Sequence, residues 1–95
     1  MAIGLRLDFE SLGLADYDAV CEALNFPAGW PDGLLSHGSV EVDGKLRVYD
    51  VWESRAQFDQ FVADRLGAAM GQALGERAEQ PQVTEGPLHT FYTHP

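Results

Sequence analysis

The sequence predicts an α+β domain in which a four-stranded antiparallel sheet carries two helices on one face. Four segments alternate between apolar and polar residues, as half-buried strands do, and two segments carry apolar residues at helical spacing. Their order along the chain is strand, helix, strand, strand, helix, strand. The 95 residues predict one domain, residues 1–95, without room for a second core.

The first strand and the first helix are predicted over residues 2–10 and 16–25. In the strand, four apolar residues alternate with small or polar ones: Ile3, Leu5, Leu7 and Phe9. In the helix, apolar residues fall at i, i+3, i+4 and i+7: Tyr17, Val20, Cys21 and Leu24. Asp16 is the predicted N-cap of this helix. The loop that follows, residues 25–33, is rich in helix breakers and carries Phe26 and Trp30.

Residues 34–42 and 45–53 are predicted to pair as a β-hairpin, because Asp-Gly at 43–44 is typical of a two-residue type I′ turn. Such a turn makes residues 42 and 45 the first facing pair. His37 is then expected opposite Asp50, and Leu35 opposite Trp52. An imidazole that faces a carboxylate is the arrangement in this sequence that could carry chemistry, since Asp50 would orient His37 and fix its tautomer.

The second helix is predicted over residues 55–74, where Ser54 and Gln57 form a capping-box pattern at its start. Glycines weaken its second half, so a kink or break near Gly67 is one possible outcome. The last strand is predicted over residues 83–93, and Pro87 confines it to a sheet edge or a bulge. Right-handed crossovers place the first and third strands at the centre of the sheet. The result is the ferredoxin-like βαββαβ sandwich.

Charge and cysteine content exclude several classes of protein. The net charge of −9, from 6 basic and 15 acidic residues, repels nucleic acids and anionic membranes. A single cysteine, Cys21, excludes an intrachain disulfide and offers no CxxC pair for zinc. The three histidines lack HxH or HxxxH spacing, so no metal is expected. The N-terminus reads as a strand rather than a signal peptide or membrane span, which predicts a cytoplasmic protein.

Several segments together resemble the dimeric α/β-barrel superfamily: His37 through RVYDVWES, the helix start AQFDQF and the last strand GPLHTFY. Within it, the chain is similar to small bacterial proteins related to the antibiotic biosynthesis monooxygenase-like domains. The resemblance spans nearly the whole chain. It implies a homodimer that packs two sheet faces into a barrel, with a cleft between sheet and helices in each protomer. Activities in the superfamily include cofactor-free oxygenation of aromatic polyketides, polyketide cyclisation and haem degradation. Haem is disfavoured because neither predicted helix contains a histidine.

Two functional hypotheses follow. The first is a cofactor-independent enzyme of monooxygenase or cyclase type that acts on a hydrophobic, aromatic or polyketide-like small molecule. His37 would be the general base and Asp50 its orienting carboxylate. The substrate would be contacted by five further residues: Trp52, Tyr49, Phe26, Trp30 and His89.

The second hypothesis is a homodimer without catalysis, which binds a small ligand or is purely structural. His37 and Asp50 would then fix the strand register or lie in the dimer interface, and Phe26 and Trp30 would plug the end of the core. An open cleft of a few hundred Å³ favours the enzyme, and a closed cleft filled by Trp favours the structural alternative.

Overall fold

The four predicted strands form one antiparallel sheet. The structure, a computed structural model, describes residues 1–94. Its strands are β1 (Ile3–Asp8), β2 (Leu34–Val42), β3 (Lys45–Trp52) and β4 (Gln82–Pro87), in the order β2-β3-β1-β4. Helix α1 (Leu14–Leu24) and helix α2 (residues 55–74) cover one face, and a short 3₁₀ turn, Gly75–Arg77, follows α2. The predicted α+β ferredoxin-like sandwich, with β1 and β3 central, is confirmed.

The core lies between the two helices and the face of the sheet that they cover. Alternate residues of the two central strands are buried there: Ile3, Leu5, Leu7, Leu46, Val48 and Trp52. Trp52 is only 1% exposed, and its ring meets that of Phe58 from α2 at a centroid distance of 5.5 Å. The two-residue period of the strands therefore decides which side chains of β3 face the helices.

The β2–β3 turn has the predicted geometry. Asp43 and Gly44 have φ values of 53° and 78°, and a type I′ turn requires positive φ at both positions. The strands pair from Val42 opposite Lys45 down to His37 opposite Asp50, so the predicted register is confirmed over this stretch.

The predicted pairing of Leu35 with Trp52 is wrong. The register shifts between Leu34 and Ser36, and Leu34 faces Trp52 instead. The extra residue of this bulge turns Leu35 outward, where it is 40% exposed, while Leu34 enters the core at 6%. The bulge thus supplies an apolar neighbour for Trp52 without disturbing the pair of His37 and Asp50.

The helix starts agree only in part with the sequence. Ser54 caps α2 as predicted, since its hydroxyl accepts a hydrogen bond from the Gln57 backbone N–H at 3.2 Å. Asp16 is not the N-cap of α1, because that helix begins at Leu14 and its N-cap is Gly13. Asp16 lies inside the first turn and accepts a hydrogen bond from the Gly13 backbone N–H at 3.0 Å.

Helix α2 contains one wide turn. Arg55–Phe61 and Gly67–Leu74 are α-helical, and Val62–Leu66 between them is π-helical. Of the kink or break that the sequence allows near Gly67, the break does not occur, and a widened turn lies immediately before this residue. Such turns are frequent at functional sites, and this one carries Arg65, whose contacts bear on the site below.

Strand β4 is shorter than predicted. Its last residue, Pro87, pairs with Ile3, the first residue of β1, so β1 offers no further ladder partner to residues 88–93. One more backbone contact follows, from Leu88 N–H to the Ala2 carbonyl at 3.0 Å. Over residues 1–94, no helix has the length and apolar character needed to span a membrane.

Candidate active site

Four side chains form a continuous hydrogen-bonded chain between α1 and the sheet. Tyr17 Oη lies 2.6 Å from His37 Nε2, and His37 Nδ1 lies 2.6 Å from Asp50 Oδ1. Trp52 Nε1 donates to the other carboxylate oxygen, Oδ2, at 3.1 Å. The side chains of His37 and Asp50 are only 16% and 6% exposed, so the pair is largely shielded from water.

Strand alternation and the hairpin register position three of these groups, and the packing of α1 on the sheet positions the fourth, Tyr17. Asp50 and Trp52 are two residues apart on β3 and therefore share the face that the helices cover. The hairpin register brings His37 opposite Asp50. Tyr17 lies in the apolar stripe of α1 that packs on this face, and its half-buried hydroxyl requires a hydrogen-bonding partner.

The donors and acceptors assign one tautomer to His37. Trp52 Nε1 can only donate, and an ionised Asp50 can only accept. In the neutral form of His37, which is the form able to act as a base, Nδ1 therefore carries the proton and donates it to Asp50, and Nε2 accepts from the Tyr17 hydroxyl. Burial raises the pKa of Tyr17 to about 12, which keeps the phenol protonated at neutral pH. Each polar atom in this chain thus has a partner.

The half-buried Tyr17 phenol predicts a loss of stability at alkaline pH. The phenol ionises near pH 10.0 when unfolded and near 12 when folded, so above 10 the unfolded state loses its proton first. The free energy of unfolding is therefore expected to fall between these two pH values. In Tyr17→Phe this part of the decline is absent, whereas Tyr92→Phe, at a position 88% exposed, retains it. Urea unfolding from about pH 9 to about pH 12 measures it, and equal declines in both variants would contradict the assignment.

A small apolar cavity lies against the hydrogen-bonded chain. Its volume is about 80 Å³, and the polar side chains of Tyr17, His37 and Asp50 line part of its wall. Its apolar walls come from sheet and helices: Val48, Trp52, Phe58, Phe61, Leu66 and Met70. A cavity that binds benzene measures about 150 Å³, and ligand sites commonly reach several hundred. The cleft as it stands is therefore nearly closed.

The loop over residues 25–33 closes the cleft. The Phe26 ring meets the His37 ring edge-on at 5.0 Å, and Trp30 stacks on Phe26 at 5.3 Å. Arg65, from the π-helical turn of α2, donates to the carbonyl of Leu24, just before the loop, at 3.2 Å and to that of Gly29, in its middle, at 2.8 Å. Arg65 therefore fixes the loop against α2 through these two hydrogen bonds.

Removal of the Arg65 guanidinium is expected to make the loop over residues 25–33 more mobile. Arg65→Met loses two charge-assisted hydrogen bonds, and we expect the free energy of unfolding to fall by about 1–3 kcal/mol. Trp30, already 46% exposed, should be quenched more strongly by acrylamide, while buried Trp52 contributes little. Arg55→Met is the matched control, because Arg55 lies on the same helix and pairs with side chains outside this loop. Equal quenching in the two variants would show that Arg65 does not hold the loop.

The structure brings some of the predicted site residues together and separates others. Phe26 and Trp52 line the cavity beside His37 and Asp50. Trp30 lies outside the cavity, stacked on Phe26, and its Nε1 donates to the Leu34 carbonyl at 2.7 Å.

Tyr49 and His89, which the sequence places in the substrate site, lie away from the cavity in the structure. Tyr49 lies between Val48 and Asp50 on β3, so strand alternation turns it to the opposite face of the sheet, where it is 47% exposed. His89 is exposed and follows the end of β4, and it does not line the cavity. Sequence reasoning missed Tyr17 as a site residue and assigned it to the core stripe of α1.

The fold and the enclosed cavity define the structural class, a ferredoxin-like α+β domain with a small apolar cavity between sheet and helices. No protein-family model matches the chain, and no curated protein matches it. Solved structures do match. A proposed antibiotic biosynthesis monooxygenase from Bacteroides thetaiotaomicron aligns with a TM-score of 0.65 and 13% identity over 100% of this chain and 95% of its own.

Two further structures share the fold. A variant of SnoaB, a cofactor-independent oxygenase from Streptomyces nogalater, aligns with a TM-score of 0.53 and 15% identity, covering 99% of this chain and 95% of its own. A dimeric protein of unknown function with a ferredoxin-like fold, from Bacteroides fragilis, aligns with a TM-score of 0.57 and 11% identity, covering 92% of this chain and 95% of its own. At these identities the likeness establishes the fold, and in that respect the resemblance read from the sequence is confirmed.

Proposed function

We propose that this chain is a cofactor-independent enzyme whose first step is removal of a proton from a small aromatic or polyketide-like molecule by His37. The observation that carries the proposal is the 2.6 Å contact between His37 Nδ1 and Asp50 at the wall of an apolar cleft. When Nε2 takes a proton, the ring becomes an imidazolium. Asp50 stabilises that charge and holds the ring orientation, as the carboxylate does in a Ser-His-Asp triad.

The surroundings of His37 favour an uncharged substrate. The chain carries a net charge of −9, and the described residues that line the cavity include no Lys or Arg to pair with a carboxylate or phosphate. Residues 1–94 also hold no cluster of three or more metal-ligating side chains. The proposed step uses only the side chains present, because the proton moves to His37 and the electron pair stays on the substrate.

Two continuations use the same base. In the oxygenase case, the substrate carbanion reacts with O₂ as the oxidant. In the cyclase case, the carbanion attacks a carbonyl carbon of the same molecule. The likeness to SnoaB, which is described as a cofactor-independent oxygenase, supports the first continuation.

A generic carbon acid tests for the base. 5-Nitrobenzisoxazole opens when a base removes its ring proton, and the phenolate product is coloured. We expect the wild-type protein to accelerate this reaction and His37→Gln to lose about 10²–10⁴-fold of the acceleration. His89→Gln, an exposed histidine outside the cleft, is the matched control. A wild-type rate no higher than that of His37→Gln would overturn the proposal. Oxygen consumption with neutral aromatic compounds then separates oxygenation from cyclisation.

We also propose that two copies pack through the open face of the sheet. This face carries Val40, Val42 and Tyr49, which are 43–47% exposed, and no helix within residues 1–94 covers it. The Bacteroides fragilis protein of the same fold is described as dimeric. Sedimentation should show a dimer that Tyr49→Asp weakens, whereas Val62→Asp, on α2, should leave it intact. A wild-type monomer would contradict this interface.

The cytoplasmic location stays a prediction from the sequence.

A second candidate function is a homodimer without catalysis. It is favoured by the cavity volume of about 80 Å³ and by Trp52, whose buried ring forms part of the wall. The proposed substrates enter only if the loop over residues 25–33 moves away. The same benzisoxazole assay decides between the candidates, because a non-catalytic dimer gives no rate that depends on His37.

A further inference from the structure

The Tyr17 hydroxyl occupies the acceptor atom through which His37 would act. With Nδ1–H donated to Asp50, the free lone pair of the neutral ring lies on Nε2, 2.6 Å from Tyr17 Oη. A substrate can therefore reach this base in two ways only. It displaces Tyr17, or it passes its proton through the Tyr17 hydroxyl.

Displacement is opposed by the packing of Tyr17. Its ring lies parallel to the His37 ring, with an interplanar angle of 10° and a centroid distance of 5.8 Å. Cys21, one helical turn further along α1, lines the cavity beside it. The phenol is thus held in place by α1 and β2, while its side chain lines the cavity.

We propose that Tyr17 is a catalytic residue that contacts the substrate and relays the substrate proton to His37. This inference rests on the proposed function. The substrate C–H or O–H bond breaks as its proton joins Tyr17 Oη, and the original phenolic proton moves to His37 Nε2. The electron pair of the broken bond remains on the substrate, Tyr17 ends neutral, and His37 ends as an imidazolium beside the Asp50 carboxylate.

The two proton transfers must be coupled. Because burial disfavours the phenolate and raises the pKa of Tyr17 to about 12, a free tyrosinate is a poor intermediate. In a coupled step the phenolic O–H bond breaks in the rate-limiting transition state. The phenolic proton exchanges with solvent, whereas the carbon-bound proton of 5-nitrobenzisoxazole does not. A rate decrease in D₂O therefore comes from exchangeable protons, and the relay requires such a decrease.

The test compares the rate of benzisoxazole opening in H₂O and D₂O. If the relay operates, the rate of benzisoxazole opening by the wild-type protein is lower in D₂O than in H₂O. Tyr17→Phe then lowers the rate in H₂O by about 10²-fold or more. Tyr92→Phe, at an exposed position, keeps the wild-type rate and the wild-type isotope effect. A wild-type rate that is equal in both solvents, or a Tyr17→Phe rate at or above wild type, would overturn the relay.

The outcomes separate the relay from the function on which it rests. If His37→Gln keeps the wild-type rate, the base assignment itself fails. If His37→Gln abolishes the rate while Tyr17→Phe does not lower it, only the relay fails, and Tyr17 merely positions the ring. An equal rate of the wild-type protein in H₂O and D₂O overturns the relay without any variant, so the relay stays falsifiable even if Tyr17→Phe folds poorly.

Discussion

Replacing Asp50 by asparagine is expected to lower the rate of proton abstraction about 10⁴-fold while the protein still folds. Trp52 Nε1 can only donate, so the amide oxygen of the new residue must face it, and the amide NH₂ then faces His37 Nδ1. Nδ1 must become an acceptor, which moves the ring proton to Nε2, the atom that has to take the substrate proton. The same exchange in a Ser-His-Asp triad produces the wrong tautomer and costs about 10⁴ in turnover.

The benzisoxazole assay measures this loss, with thermal unfolding to show that the variant is folded. Asp59→Asn is the matched control, because its carboxylate lies on α2, is 60% exposed and pairs with Arg55. We expect the control to retain the wild-type rate. An Asp50→Asn variant within tenfold of wild type would mean that the carboxylate does not set the tautomer of His37.

Replacing Trp52 by alanine is expected to reduce the free energy of unfolding by about 3–5 kcal/mol, the range for large-to-alanine changes in a core. Trp52 is 1% exposed and contacts the rings of Phe58 and Phe61 at centroid distances of 5.5 and 5.7 Å. Its loss leaves a large cavity at the end of β3 and removes the hydrogen bond to Asp50 Oδ2. In a domain with a typical stability of about 5–15 kcal/mol, much of the margin is lost.

Urea unfolding compares this variant with Trp30→Ala, which removes the same side chain from a position 46% exposed. We expect the exposed substitution to cost less than half as much. Trp52→Phe keeps one aromatic ring and loses the N–H donor with part of the indole volume, so we expect a cost smaller than that of Trp52→Ala. Equal costs at the two tryptophan positions would contradict the central place of Trp52 in the core.

The parts of the structure that the sequence predicts well are those decided by local chemistry. The spacing of apolar residues predicts the order of strands and helices along the chain and, with right-handed crossovers, the order of strands in the sheet. Asp43-Gly44 predicts the turn and hence the pairing of His37 with Asp50. The limit of this reasoning is Leu35. A β-bulge depends on which neighbouring side chain can fill the core beside Trp52, and that is a matter of tertiary packing rather than of alternation.

The rest of the site depends on how a helix lies across the sheet. Tyr17 fits the apolar stripe of α1, and helical periodicity cannot distinguish a core residue from one whose hydroxyl meets His37. The useful signal was chemical, since a tyrosine on an inward stripe needs a partner for its hydroxyl. Tyr49 was assignable from alternation alone, which places it on the face opposite to Asp50. The position of His89 depended on where β1 stops offering partners to β4, which the sequence of β4 does not encode.

The most direct test of the proposed function is the tautomer of His37, read from the ¹⁵N NMR signals of its side chain in histidine-labelled protein, with His37→Gln used for assignment. At mildly alkaline pH we expect a protonated Nδ1 with a hydrogen-bonded, strongly deshielded proton, an unprotonated Nε2, and reversal of this pattern in Asp50→Asn. A wild-type ring protonated at Nε2, or one averaged between both tautomers, would contradict the hydrogen-bonded chain of Tyr17, His37, Asp50 and Trp52, and with it the assignment of His37 as the base.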